Sequence, residues 1–266
     1  MSGTINTIKA SYKLKVKDVF VYRGMMILWM LGWVFSFLSM FFLWRSAVIT
    51  SDLAGYSLKE LITYYFLVAF VWAACGWFPY YWIADSIKTG NIIGFVTKPM
   101  SFHWHVFASE LAWHTVNIIF YGIFLLFIFC LAHNWLILAP PVNLFLFFLA
   151  LVLAALTIFE FSILMSTAAF WVINYGSLAS LFWMSLSLLG GQMLPLAFFP
   201  LIWRRIILLL PFRYMSSFPI EVYLGRLTPG EEAAAFLAAG GWVVIFHLLF
   251  NFFWKKGLRK YTAFGQ

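Results

Sequence analysis

Residues 161–203 contain no Asp, Glu, Lys or Arg. That run exceeds one bilayer crossing, which takes roughly 20 apolar residues at about 1.5 Å each. Inside it stands GGQMLPLAFFP, residues 190–200, with two glycines, a glutamine and two prolines, residues that interrupt helices. The following LIWRRIILLLPF (201–212) is too apolar for an ordinary loop and too interrupted for a span. Broken backbone at membrane depth persists only where protein or water satisfies its N–H and C=O groups. The chain here either ends a helix and adds a surface helix, or enters the bilayer, bends at the prolines and turns back.

Composition decides the solvent. Only 10% of the 266 residues are charged, while 64% are hydrophobic and 22% aromatic. Soluble domains carry about 25% charged residues, so this chain belongs in lipid. The net charge of +8 then reads as basic flanks of membrane spans rather than as a nucleic-acid surface, and no nucleic acid is expected as a partner. Cys75 and Cys130 both lie in apolar runs, which argues against a disulfide framework. The first 23 residues hold Lys9, Lys13, Lys15, Lys17 and Arg23 and lack the compact apolar stretch of a cleavable signal.

Six spans are expected, near 25–44, 61–83, 111–132, 142–165, 177–189 and 233–254. Capping boxes mark two starts: Ser57 with Glu60, and Thr228 with Glu231, the latter with Pro229 at the first helical position. With the N-terminus inside, the inner face holds the five early basic residues, Lys88, Lys98, Lys255, Lys256, Arg259 and Lys260. The outer face holds Arg45, Lys59, Arg204, Arg205, Arg213 and Arg226. The excess of Lys and Arg favours both termini on the cytoplasmic side, with the arginines of 204–226 snorkelling to headgroups.

Three stretches carry a family likeness: SIKTGNIIGFVTKPMSFHWHVF (86–107), the broken segment 190–225, and WKKGLRKYTAFG (254–265). Together they resemble the membrane subunit of type-2 ATP-binding-cassette exporters, the multidrug and daunorubicin-exporter-like permeases. The resemblance implies an all-α integral membrane domain over 1–266 with six transmembrane helices. It further implies a cytoplasmic amphipathic helix at 1–24, a cytoplasmic coupling loop at 84–107, an extracytoplasmic re-entrant segment at 190–230 and a cytoplasmic tail at 255–266. It implies export of an amphiphilic drug, lipid, peptide or saccharide across the cell membrane, in a bacterial setting. The partners implied are a cytoplasmic ATPase dimer and a second permease subunit, identical or paralogous, alongside membrane lipids. No phosphate loop of the form Gly-x-x-x-x-Gly-Lys-Ser/Thr occurs in the chain, so ATP and Mg are expected on the ATPase and no cofactor or catalytic residue on this chain. The rival readings are an integral-membrane enzyme, such as a lipid transferase, and a non-transporting immunity or scaffold subunit.

The coupling candidates are Asp85, Gly90, Ile92, Ile93, Phe95, Lys98 and Pro99, with Ile92, Ile93 and Phe95 as anchors in a groove of the ATPase. The pathway and re-entrant candidates are Glu160, Gly190, Gly191, Gln192, Pro195, Pro200 and Pro211. A carboxylate inside a span costs at least about 2.5 kcal/mol on insertion scales. Glu160 is therefore either a substrate or proton contact, or an acid hydrogen-bonded near the inner interface to Ser162, Ser166 or Asn174. His103-Trp104-His105 reads as an interfacial belt rather than a metal site, because no Cys or acidic cluster accompanies it in the loop. Glu110 reads as a flank residue, and His114 and His247 as hydrogen-bonded core residues.

Overall fold

In a bilayer each backbone N–H and C=O must find its partner within the protein, and the described residues form helices and turns with no strand among them. The computed structural model describes residues 23–47, 55–76, 78–96, 101–172 and 174–263. Most of the expected 1–24 helix, together with Lys98 and Pro99, lies outside the described residues.

The helices, in chain order, are α1 (Arg23–Ala47), α2 (Leu58–Cys75), α3 (Tyr80–Thr89), α4 (Ile93–Val96), α5 (Phe102–Ala132), α6 (Pro141–Ser166) and α7 (Tyr175–Leu189). After the break come α8 (Leu201–Ile207), α9 (Pro211–Met215), α10 (Ser217–Tyr223) and α11 (Pro229–Ala263). Among the described residues, four stretches are long and apolar enough to cross a membrane: Leu58–Thr89, Phe102–Trp135, Pro141–Phe170 and Pro229–Lys260. Val34–Ala47 and Tyr175–Leu189 are shorter apolar helices. Four of the six expected spans fall within full-length stretches, while 25–44 and 177–189 fall within α1 and α7.

Both capping boxes form. Ser57 N–H donates to Glu60 Oε2 at 2.7 Å and Glu60 N–H to Ser57 Oγ at 3.2 Å. Thr228 N–H donates to Glu231 Oε2 at 2.9 Å, and α11 begins at Pro229. The second span breaks where Gly76 closes α2 by donating to Trp72 O at 3.0 Å, and Pro79 opens α3. Within 84–107, α3 runs to Thr89, α4 covers Ile93–Val96, and α5 begins at Phe102, nine residues before the expected span.

α6 lies at the centre, packed against α2, α3, α9, α10 and α11, while α1 and α5 pack on α2. Fully buried side chains include Tyr64, Tyr80, Phe159, Phe218 and Phe250. The outward faces are also apolar: Phe145, Phe148 and Val152 on α6, and Leu248 and Phe252 on α11, are exposed. An apolar exterior at helical spacing suits hydrocarbon, where close packing rather than water exclusion holds helices together.

The broken segment folds back into this bundle. Gly191 has φ +79°, and a Cβ there would lie 2.8 Å from Tyr64 Oη and 2.9 Å from Ser217 Cβ. Tyr64 O–H donates to Gly191 O at 2.7 Å, Tyr65 O–H to Met193 O at 3.0 Å, and Ser217 N–H to Gly190 O at 3.1 Å. Pro195 precedes a single 3-10 turn, while Pro200 and Pro211 each introduce a short helix, α8 and α9. α8 is exposed, whereas α9 and α10 are largely buried.

The arginines divide accordingly. Arg204 and Arg205 are exposed on α8, but Arg213 does not snorkel. It is buried, with Nη2 donating to Glu221 Oε2 at 2.7 Å and Nε to the same oxygen at 3.2 Å. α9 turns it inward, where only a paired charge is tolerated. Arg226 bridges to Glu60 at 2.8 Å and lies 3.8 Å above the Tyr56 ring. Burial, with Glu221 adding to it, pushes the Tyr56 phenol up to about 12, so the ring beneath Arg226 stays neutral.

Candidate functional site

The break between α2 and α3 opens a cavity. Ending α2 at Gly76 and restarting at Pro79 turns Trp72, Phe78, Tyr81 and Trp82 toward a space of about 830 Å³ that also meets α1, α5 and α7. Ligand pockets span about 300–1,000 Å³, so the volume suits a small organic molecule. Its aromatic wall is preformed: Trp72 stacks on Trp183 at 4.9 Å, and Phe78 lies 4.5 Å from Trp183.

The polar wall comes from α5. Glu110, His114, Asn117 and Tyr121 line the cavity, spaced at i, i+4, i+7 and i+11, which sets them on one helical face. Trp82 Nε1 donates to Glu110 Oε1 at 3.0 Å, linking that stripe to the aromatic wall. His114 and Asn117 are buried. In sequence Glu110 and His114 stand as a flank residue and a core residue with nothing to join them. The helical spacing of the four polar positions was the signal that would have grouped them, and placing the helix start at 111 concealed it.

Glu160 does not line this cavity. It meets His103 and His247 instead, residues from the first turn of α5 and the middle of α11. His103 Nε2 lies 2.7 Å from Glu160 Oε1, and His247 Nδ1 lies 3.3 Å from both carboxylate oxygens. Two of the three expected partners are engaged elsewhere: Ser162 Oγ accepts from Tyr80 N–H at 3.3 Å, and Ser166 Oγ donates to Ile163 O at 2.6 Å. His103 packs edge-on to Phe159 at 5.4 Å and to His247 at 4.9 Å. His105, two residues on, turns to Phe95 at 5.1 Å. A helix diverges the two imidazoles, and the tertiary fold supplies the acid that the loop lacks. The belt reading of His103 gives way to a buried side-chain cluster.

The coupling candidates divide by exposure. Ile92 is fully buried in the chain's own core, and Phe95 packs on Trp82 and Phe102. Asp85 and Ile93 are exposed, and Gly90, at φ +85°, closes α3 between them. Of the coupling candidates, Asp85 and Ile93 therefore face outward, alongside the exposed Lys88, Thr89 and Asn91. Gly190 and Gly191 are buried beneath Tyr64, Tyr65 and Ser217, and Gln192 is half-buried beside them.

Compared with protein families, the chain matches over residues 27–265 the one described as ABC-2 family transporter protein. No curated protein and no solved structure matches it. A family match spanning almost the whole chain, on a helical bundle with an apolar exterior and a mixed aromatic and polar cavity, identifies a multi-pass membrane protein: the chain belongs to the ABC-2 family of transporters.

Proposed function

We propose that this chain is the membrane subunit of an exporter that moves an amphiphile, driven by a separate cytoplasmic ATPase dimer and paired with a second permease subunit. The cavity carries the reading. Stacked indoles on one side and the Glu110–Tyr121 stripe on the other offer apolar area together with a few orienting polar groups, the combination that binds amphiphiles. The full-length family match supports the transporter role. Both termini cytoplasmic is the orientation that the distribution of Lys and Arg favours. In that orientation the cavity, bounded by the C-terminal end of α2 and the N-terminal half of α5, opens in the inner half of the bilayer, where an exporter collects its cargo.

ATP energy enters, in this reading, through α3 and α4. Ile93 is 56% exposed and fits a hydrophobic groove on the ATPase, whereas Ile92 anchors the stretch to the bundle. Ile93→Asp tests the assignment without disturbing the core. A charge buried unpaired in a docking surface costs several kcal/mol, so the variant inserts normally and loses the ATPase in pull-down. Normal recovery of the ATPase would place coupling elsewhere.

A further inference from the structure

We propose that His103, Glu160 and His247 form a site for one divalent transition-metal ion of the zinc class, which staples α5, α6 and α11 together. The inference stands apart from the export reading, since it concerns a cluster outside the cavity.

The donor set is two imidazoles and a carboxylate, and their ligand atoms all lie within 4.8 Å of one another. Zinc binds imidazole nitrogen at about 2.0–2.1 Å and carboxylate oxygen at about 2.0–2.2 Å, often as two histidines and one glutamate with a fourth position open. Two ligands of a tetrahedral ion therefore stand roughly 3.3–3.5 Å apart. His247 Nδ1 already meets that separation at 3.3 Å from either carboxylate oxygen. His103 Nε2, at 2.7 Å from Glu160 Oε1, needs to withdraw by about 0.6 Å, and the two imidazole nitrogens, the widest pair within the 4.8 Å spread, need to draw together around the ion.

Rigid surroundings favour the arrangement. Each ligand stands on a different helix, and the buried Phe159 and Phe250 pack against the His103 ring at 5.4 and 5.9 Å. Glu160 and His103 are closed in, with side chains 7% and 14% exposed, while the His247 side chain is 43% exposed. That leaves an approach for the ion and a fourth position for water. The cluster also answers a cost. A buried carboxylate inside a span needs a positive or hydrogen-bonding partner, and a divalent ion between two neutral imidazoles supplies it. Nitrogen-rich donors select against calcium and magnesium, which take oxygen ligands.

The three ligands are far apart in sequence, but the end of the bundle they occupy is defined. Phe102 stacks on Trp254 at 4.3 Å, which places the site toward the C-terminal half of α11, away from the Glu60–Arg226 bridge. An ion there fixes α5 against the central α6–α11 pair.

The test uses the full-length chain purified in detergent and stripped with a chelator that is then removed. Zinc is titrated by equilibrium dialysis with elemental analysis, and cobalt is used as a spectroscopic stand-in. The expected result is one ion per chain, a visible cobalt absorption band typical of four-coordination, and a zinc-dependent rise in melting temperature. His247→Ala, at a half-exposed position and therefore tolerant of truncation, lowers affinity by more than the ~10–100-fold that outer partners of a metal ligand cost, and it abolishes the melting shift. His133→Ala, altering an exposed histidine elsewhere, changes neither. Absence of stoichiometric binding by the wild-type chain would overturn the proposal and leave the three residues a hydrogen-bonded triad. Equal binding by wild type and His247→Ala would also overturn it, tracing the metal to other histidines.

Discussion

Gly191 and Arg213 show what single residues contribute to the broken segment. With φ +79° and Tyr64 Oη 2.8 Å from where a Cβ would stand, Gly191 is constrained by both backbone and space. An L-residue there pays about 1–2 kcal/mol for the left-handed conformation before any clash is counted. Gly191→Ala is therefore expected to lower thermal stability in detergent, and Gly191→Leu to lower it further; an unchanged melting temperature would contradict the packed turn. Arg213 and Glu221 behave as a unit. Removing one partner of a buried pair costs about 3–5 kcal/mol, so Arg213→Met destabilises strongly and the double variant Arg213→Met with Glu221→Leu regains most of the loss. Equal instability of single and double variants would show that the pairing does not matter. The breakers were legible at this scale because Gly and Pro act locally, whereas the pairing of Arg213 was not. Snorkelling was the reading available without knowing that α9 turns its face inward. Glu160 teaches the same lesson: its partners lie 57 and 87 residues away, a separation that local spacing does not reveal.

At the scale of elements, local chemistry and tertiary packing divide the outcome between them. The capping boxes at Ser57 and Thr228 were readable because each is completed within four residues. Ser57→Ala removes an acceptor at the start of α2 and is expected to cost about 1 kcal/mol, read as a modest drop in melting temperature. The α2–α3 break was harder to see. A window that counts apolar residues runs through Gly76 and Pro79 without pause, and it also dated α5 from 111 because His103, His105 and Glu110 lower hydropathy there. Those polar residues belong to the helix itself: His103 meets Glu160, His105 packs on Phe95, and Glu110 lines the cavity. The rival enzyme reading calls for polar residues gathered at one depth, and the Glu160 cluster is such a group, whereas the α5 stripe extends about 16 Å along its helix. The stripe faces a cavity lined by tryptophan, on which the export reading rests, and the cluster supplies the carboxylate and imidazoles that the enzyme reading would use as a base.

The whole molecule has two ends, and they are set by contacts rather than by charge counts alone. Arg226 bridges to Glu60, so the starts of α2 and α11 share one end. α11 has 35 residues and, at 1.5 Å per residue, extends about 50 Å, enough to carry Lys256 to the other side. Single cysteines replacing the exposed Lys59 and Lys256 therefore label from opposite faces. Position 59 is expected to react with an impermeant reagent in intact cells, and position 256 only after permeabilisation; the reverse pattern would invert the topology. The central claim, that this bundle exports an amphiphile using ATP hydrolysed by a partner, is tested most directly in proteoliposomes holding the chain with its ATPase. The measurement is ATP hydrolysis against a series of aromatic amphiphilic dyes, for wild type and for Trp183→Ala combined with Asn117→Leu. The account predicts dye-stimulated hydrolysis in the wild type. It predicts that stimulation is lost in the cavity variant while the ATPase stays bound and its basal rate persists. Stimulation of equal size in the two proteins, or none in the wild type with any dye, would contradict it.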